Sequence, residues 1–138
     1  MKKVSGTLEF NAQMISRLCM QHEVSSCAVV TSLKYTPSVF EFCETLRDEL
    51  TSSGRKTMLI RASEAGNAFE KSCGDNELLL VFSPRPDCSM DSFRACSECD
   101  AVIVVERYGL TRHKTFDEMT EFLQEQKVKI LGAIGLTN

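Results

Sequence analysis

The chain alternates between continuous apolar runs and segments in which apolar residues recur every three or four positions. The continuous runs are rich in β-branched residues and have the length of strands that are buried on both faces. Five strands are predicted: SCAVVT (26–31), TMLIR (57–61), ELLLVFS (77–83), DAVIVVE (100–106) and VKILGAIGL (128–136). The helical periodicity predicts helices at about residues 8–21, 37–52 and 89–98, and a last helix that carries Phe116, Met119, Phe122 and Leu123.

Buried strands that alternate with amphipathic helices indicate a parallel sheet, since burial on both sides requires helices on each face. The predicted fold is therefore α/β, a three-layer α/β/α sandwich with a mostly parallel five-stranded sheet. Three helix starts are expected, at Thr36 followed by Pro37, at Ser89 and at Thr111. Ligands of such sheets bind at the carboxyl ends of the strands, so the candidate functional loops follow residues 31, 61, 82 and 105.

Length and charge narrow the function classes. The 138 residues, 43% of them hydrophobic and 25% charged, suit a single domain over residues 1–138. A net charge of −3 argues against a nucleic-acid partner, because phosphate backbones are bound by clustered Lys and Arg. No apolar run is long enough to cross a bilayer, and none follows the first lysines as in a signal peptide. We expect a cytoplasmic protein without direct membrane insertion.

Seven cysteines are scattered through the apolar segments, which suits buried thiols in a reducing compartment better than a disulfide framework. Only Cys96 and Cys99 have the spacing of a metal or redox pair. A zinc site would need two further ligands, and the chain has only His22 and His113 and no second CxxC motif. The pair also ends a predicted helix, whereas a redox CxxC begins one. No metal is expected, and a role for these two thiols stays open.

Two long blocks of the sequence carry a family pattern. VVTSLKYTPSVFEFCETLRDELTSSGRKTMLIRAS (29–63) resembles the first βαβ unit of the bacterial tyrosine kinases (BY-kinases) and the related MinD and ParA ATPases, roughly VTSxxPGEGKSTxAxNLAxxLAxxGxKxLLIDxD. ELLLVFSPRPDCSMDSFRACSECDAVIVVERYGLT (77–111) is similar to a second family block, DYVIIDTPPxxxxxDAxxxAxxADGVLLVVRxGxT. The ending VKILGAIGL is similar to the family's final strand. The resemblance implies a P-loop NTPase-like fold over nearly the whole chain.

Carried over position by position, the resemblance places the phosphate loop just before the second helix. Such a loop uses glycines for close backbone approach, a lysine for charge and a hydroxyl for magnesium. The glycine positions are Thr36 and Ser38, the lysine position is Val39, and the position of the magnesium hydroxyl is Phe40. We therefore expect this turn to start a helix rather than to hold a nucleotide, with Val39 and Phe40 in the core.

The acidic motifs of the family also differ here. The Asp-x-Asp at the end of the second strand reads Arg61-Ala62-Ser63, and the aspartate that ends the third strand is Phe82. No carboxylate stands at a position that the resemblance assigns to magnesium, and phosphoryl transfer depends on such positioned charge. We expect no catalytic residue and no ATP or magnesium binding, and hence no cofactor.

Four basic residues near these motifs are candidates to contact an anion or a partner: Lys34, Arg61, Arg85 and Arg107. Lys34 stands where the MinD and ParA branch has an additional signature lysine, and Arg85 replaces a proline of the family's Thr-Pro-Pro turn. The alternatives are an exposed loop position for Lys34 and ordinary salt bridges for Arg61 and Arg85. ERYGLTRHK (106–114) is either a docking surface or a solvated loop that leads into the last helix.

Three functions remain open. The first is a catalytically inactive domain that binds a protein partner in capsular or exopolysaccharide synthesis or export, where the kinases it resembles work. That partner would be a membrane polysaccharide chain-length regulator or an active homologous kinase. The second is a small nucleotide- or anion-binding regulatory domain without hydrolysis, which uses the start of the second helix with Lys34 and Arg61. The third is an enzyme with an unrecognised site, for which the cysteines are one candidate. No oligomeric state is predicted.

Overall fold

The chain folds into alternating helices and strands. The structure, a computed structural model, describes residues 2–34, 36–65 and 77–136, with side chains from Glu9 onward. The elements in chain order are α1 (Lys2–Gln21), β1 (Ser26–Val30), α2 (Pro37–Ser52), β2 (Lys56–Arg61), a 3-10 turn (Ala62–Glu64), β3 (Glu77–Phe82), α3 (Met90–Glu98), β4 (Ala101–Arg107), α4 (His113–Glu125) and β5 (Ile130–Leu136). The predicted alternation of elements is confirmed, and α2 has the predicted bounds.

All five strands join one parallel sheet in the order β2-β3-β1-β4-β5. α1 and α2 cover one face, where Phe42, Leu46 and Leu50 are fully buried. α3 and α4 cover the other face, where Met119 and Leu123 pack against the sheet. The predicted three-layer α/β sandwich is confirmed, and the sheet is parallel throughout. That residues 1–138 form one domain stays a prediction.

Two helix starts differ from the expectation. α1 begins at Lys2 rather than near residue 8, because a helix, once nucleated, extends by one hydrogen bond per residue beyond its amphipathic part. α4 begins at His113 with Arg112 in the N-cap position, so the prediction of Thr111 as the cap is wrong. The Thr111 hydroxyl instead donates a hydrogen bond of 2.7 Å to the carboxylate of Glu106.

The other two predicted helix starts are present. Ser89 caps α3, where its hydroxyl oxygen accepts a hydrogen bond of 3.3 Å from the Ser92 N–H. Thr36 occupies the N-cap position of α2, but its side chain makes no capping hydrogen bond. Because Pro37 already has the backbone angle of a first helical residue, the proline rather than the Thr36 hydroxyl favours the start of α2.

Most of the described thiols are buried, as expected. Four are buried in the core, and Cys99 is half-buried: the buried ones are Cys19, Cys27, Cys43 and Cys96. Cys88 is exposed, because it lies in the turn between β3 and α3, which corrects the expectation for this residue. Cys73 lies outside the described residues.

The buried apolar residues of α2 and α4 pack against the sheet, whereas Phe10, Met14 and Met20 of α1 are exposed. Over the parts of the chain that the structure describes, no helix combines the length and the apolar composition that crossing a bilayer requires.

Candidate functional site

The carboxyl ends of β1, β3 and β4 lie side by side in the middle of the sheet. The turn after β1 leads into α2 on one face, whereas the turns after β3 and β4 lead into α3 and α4 on the other. Segments that diverge from neighbouring strands leave a crevice between them, and ligands of open α/β sheets bind in such a crevice. Most of the candidate residues belong to these turns.

The positions that the resemblance assigns to the phosphate loop lie at the start of α2. Val39, at the lysine position, is fully buried in the core between the sheet and the helices α1 and α2, as predicted. Phe40, at the position of the magnesium hydroxyl, packs against that core but is only half-buried, so its expected burial is partly right. Thr36 and Ser38 are half-buried. Lys34 is exposed in the loop after β1, which was one of the two alternatives for this residue.

Phe40, Phe82 and Arg61 meet in one contact group, which we call the aromatic cluster. The ring centroids of Phe40 and Phe82 lie 5.3 Å apart, with an interplanar angle of 78°. The guanidinium carbon of Arg61 lies 4.2 Å from the Phe40 ring centroid and 5.7 Å from that of Phe82. Edge-to-face rings and a cation over a ring face attract each other. Positions taken from three separate motifs are therefore brought together in space.

A small cavity of about 150 Å³ lies beside the aromatic cluster. The described residues that line it are Arg61, Ala62, Ser63, Phe82, Pro84, Ser89, Asp91 and Ser92. Ser63 is exposed, and Arg61 also approaches Glu64 at 4.0 Å, an exposed ion pair of a kind that contributes little to stability. Among the described side chains, no group of three or more His, Cys, Asp or Glu residues is arranged to hold a metal ion.

A buried carboxylate that the sequence analysis did not single out lies near the end of β4. Glu106 is 9% exposed, and its oxygens accept hydrogen bonds from the Ser32 N–H at 2.8 Å, the Ser32 hydroxyl at 2.8 Å and the Thr111 hydroxyl at 2.7 Å. These bonds fasten the turn after β1 to the turn after β4. The sequence signal was the acid itself, because a charge that follows the apolar run AVIVV requires buried hydrogen-bond partners.

Arg85, in the turn after β3, is ion-paired. Its φ of 49° is a left-handed conformation, which is uncommon for residues other than glycine. Its guanidinium donates from Nε and Nη2 to the two carboxylate oxygens of Asp87, at 2.9 and 2.7 Å. These hydrogen bonds hold the pKa of Asp87 below its ordinary value, because they stabilise the charged carboxylate. The salt bridge, one of the two alternatives that the sequence left for Arg85, is present, and the anion contact stays a prediction.

Lys34 lines a second cavity, of about 240 Å³, at the ends of β1, β3 and β4. The described residues that line it are Ser32, Leu33, Lys34, Arg85, Leu110, Arg112 and Thr115. Arg61 is not among them. The expectation of one anion site shared by Lys34 and Arg61 therefore needs correction, since the two side chains line different cavities.

The stretch ERYGLTRHK covers the end of β4 and the turn that follows. Tyr108 is 69% exposed, and its ring covers Gly135 so closely that a Cβ there would lie 2.8 Å from the Tyr108 Cε2 atom. A groove of about 420 Å³ adjoins this turn and β5, and its described lining residues are Glu106, Arg107, Tyr108, Gly109, Thr111, His113, Phe116, Ala133, Ile134 and Gly135. Both a docking surface and a solvated loop agree with this geometry.

Cys96 and Cys99 lie at the end of α3, as predicted. Burial raises the pKa of each thiol to about 12, because a low-polarity surrounding disfavours the thiolate. A nucleophilic or metal-binding cysteine acts as the thiolate. The geometry therefore gives no support to an enzyme built around this pair.

The overall geometry matches that of solved kinase structures. The chain aligns with the kinase domain of the Escherichia coli tyrosine kinase ETK at a TM-score of 0.64 and 13% identity, over 82% of this chain and 67% of that one. It aligns with the BceF tyrosine kinase domain at a TM-score of 0.71 and 11% identity, over 95% of this chain and 76% of that one. This chain shares its fold with tyrosine kinase domains.

A third structure, the chimerical protein CapA2B2, aligns at a TM-score of 0.71 and 9% identity, over 90% of this chain and 82% of that one. No protein-family model matches this chain, and no curated protein does. At such low identities the likeness concerns the fold, on which unrelated functions are often built. The fold is the one that the resemblance of the two sequence blocks implied.

Proposed function

We propose that this chain is a catalytically inactive BY-kinase-like or MinD-like domain, a pseudoenzyme with a degenerate phosphate loop that acts by binding a protein partner. The observation that carries the proposal is the aromatic cluster. By the resemblance, Phe40 stands at the position of the hydroxyl that binds magnesium in the family. Arg61 and Phe82 stand at the positions of the family's acidic motifs. Here two rings and a guanidinium contact one another at these positions, with 5.3 Å between the ring centroids.

The chemistry of these side chains supports the proposal. Magnesium takes oxygen ligands in octahedral geometry, and a phenylalanine ring offers none. The cationic Arg61 stands where the family has carboxylates, so its charge repels a divalent cation instead of binding it. Val39 is buried at the position of the phosphate-binding lysine and brings no charge. Phosphoryl transfer is positioning and electrostatic stabilisation by such groups, so no mechanism remains, and no ATP or magnesium cofactor is expected.

The partner follows from the resemblance. It is a membrane polysaccharide chain-length regulator or an active homologous kinase, met in the cytoplasm during capsular or exopolysaccharide synthesis or export. The candidate contact surface is the turn after β4, where Tyr108 and Leu110 are exposed. Arg and Tyr are favoured at the centres of protein interfaces, and Arg107 lines the same groove as Tyr108.

ATP hydrolysis and thermal unfolding, each measured with magnesium and millimolar nucleotide, test the loss of catalysis. We expect no hydrolysis above the protein-free background and no stabilisation specific to ATP, ADP or GTP, because a ligand that binds the native state raises its stability. Sodium chloride of equal ionic strength is the matched control. The alternative, a nucleotide-binding regulatory domain without hydrolysis, predicts a shift of several degrees with ATP. Magnesium-dependent hydrolysis would contradict both.

A further inference from the structure

The cavity beside Lys34, called the Lys34 cavity below, is lined by three basic side chains. Lys34 comes from the turn after β1, Arg85 from the turn after β3, and Arg112 from the turn after β4. The Thr115 hydroxyl adds a neutral donor, and Leu33 and Leu110 add apolar surface. No acidic side chain is among its described lining residues. Three separate turns therefore direct positive charge to one small space.

Two of these charges are uncompensated within the described part of the chain. Lys34 and Arg112 are exposed, and neither takes part in an ion pair there. Arg85 uses Nε and Nη2 for Asp87 and Cys88, which leaves the two Nη1 N–H groups without a partner among the same residues. The cavity thus has a surplus of cationic donors.

Two acids that contact the cavity turns are already engaged, and a third, the exposed Glu118 on α4, acts on Arg85 through its charge. Asp87 accepts two hydrogen bonds from Arg85. The carboxylate of Glu106 accepts hydrogen bonds from Ser32 and Thr111. Both interactions fix the turns that carry the cationic residues. A site whose walls are held in place before binding loses less conformational freedom when a ligand arrives.

We propose that the Lys34 cavity binds a compact dianion, either inorganic phosphate or the phosphate group of a small phosphomonoester. Lys34, Arg112 and the Nη1 atom of Arg85 supply charge, and the Thr115 hydroxyl supplies a further hydrogen bond. Two uncompensated cations favour a double negative charge, and charge-assisted hydrogen bonds are the strong ones. The cavity volume of about 240 Å³ is below the roughly 300–1,000 Å³ of pockets for drug-sized ligands, which suits a small ester better than a nucleotide.

The site shares Lys34 with the degenerate phosphate loop but contains none of the positions that the resemblance assigns to the phosphate-loop lysine, the magnesium hydroxyl or the acidic motifs. Arg61 and Phe82 line the cavity beside the aromatic cluster, and neither they nor Val39 and Phe40 line the Lys34 cavity. The proposal therefore does not depend on whether the chain is a pseudoenzyme.

Calorimetric titration with sodium phosphate, at an ionic strength kept constant with sodium chloride, tests this site. We expect saturable binding to the unmodified protein and at least about tenfold weaker binding to Lys34→Gln and to Arg112→Gln, because each loses a charge-assisted hydrogen bond. Arg94→Gln, which removes an exposed arginine from α3, should bind phosphate as the unmodified protein does. All three variants should keep the unfolding midpoint, since the altered side chains are exposed.

Two results would overturn the proposal. One is the absence of saturable heat from phosphate beyond that from chloride. The other is an equal loss of affinity in Arg94→Gln, which would mean that phosphate responds to overall charge and not to this cavity. Magnesium-dependent ATP hydrolysis, in contrast, bears on the proposed loss of catalysis and leaves the phosphate titration unaffected.

Discussion

The aromatic cluster and the Lys34 cavity lie at the same edge of the sheet and have opposite characters. Each contains an arginine near a strand end: Arg61 is the last residue of β2, and Arg85 lies in the turn after β3. Arg61 lies over the rings of Phe40 and Phe82, whereas Arg85 is bound to a carboxylate and lines an open cavity with Lys34. In both cases the fold places the arginine near a strand end. The neighbouring side chains decide whether the space around it is filled by aromatic rings or left as an open cavity.

The two regions also differ in how they are held. The aromatic cluster is backed by Val39 and the apolar core between the sheet and α2. The Lys34 cavity is backed by hydrogen bonds, with Glu106 bonded to Ser32 and Asp87 bonded to Arg85. Introducing a buried charge should therefore lower the unfolding free energy in the first region. In the second region, removing a buried charge should lower it.

Val39→Lys should have the largest effect, because Val39 has no exposed surface and the new ammonium would have no partner. An uncompensated buried charge costs about 3–5 kcal/mol, which urea unfolding measures as a loss of unfolding free energy. The variant should also show no ATP hydrolysis, since Phe40 and Phe82 remain at the magnesium positions.

Val39→Met is the matched control, because it lengthens the side chain without adding charge. Overpacking alone costs about 1–3 kcal/mol, so Val39→Met should lose less stability than Val39→Lys. Equal losses would assign the effect to volume. A stable Val39→Lys protein that hydrolyses ATP would show that the loop needed only its lysine, and the account of the aromatic cluster would be wrong.

Glu106→Ala should have the next largest effect, on the second region. The change leaves the buried Ser32 N–H and hydroxyl without their acceptor, and an unsatisfied buried donor costs about 1–3 kcal/mol. We expect a loss of about 2–3 kcal/mol in urea unfolding together with weaker phosphate binding, because the turn that carries Lys34 is released. Glu121→Ala, an exposed position on α4, should change neither quantity measurably. If Glu106→Ala changed neither the unfolding free energy nor the phosphate affinity, water would have replaced the carboxylate as the acceptor for Ser32.

The layers of the fold could be predicted because each strand signal is local. In AVIVV every residue is buried, so an unbroken apolar run already implies helices on both faces. The aromatic cluster could be expected only through the resemblance, which places Phe40, Arg61 and Phe82 at positions that meet in the family. Without it, three residues from distant segments share no visible pattern.

The Lys34 cavity could be predicted only in part: Lys34 and Arg85 were candidate anion contacts, but the hydrogen bonds that hold its turns together could not be read from the sequence. Ser32 and Glu106 are separated by 74 residues, and nothing in either segment identifies the other as its hydrogen-bond partner. Thr111 shows the converse error. Its position before a helix favoured a capping role, but the buried carboxylate of Glu106 is a stronger acceptor for its hydroxyl than solvent is.

The pH dependence of the Arg85–Asp87 pair should give the smallest effect. The hydrogen bonds from Arg85 lower the pKa of Asp87 in the folded protein, while the unfolded chain keeps the ordinary value of about 3.9. The unfolded state therefore binds the proton more readily, so the pair stabilises the fold above that ordinary value. The contribution is lost as the pH falls through the lowered folded pKa.

Asp87→Asn should accordingly cost about 1 kcal/mol at neutral pH, and the difference from the unmodified protein should narrow on acidification. Urea unfolding at a series of pH values measures this difference. Asp117→Asn, at an exposed position on α4, should show a small difference at every pH. If the Asp87→Asn difference stayed constant from neutral to acidic pH, the ionisation of the Asp87 carboxylate would not be the cause of the stability difference. The turn that carries Arg85 would then not be held in place by an ion pair, and the contrast between the two regions would weaken.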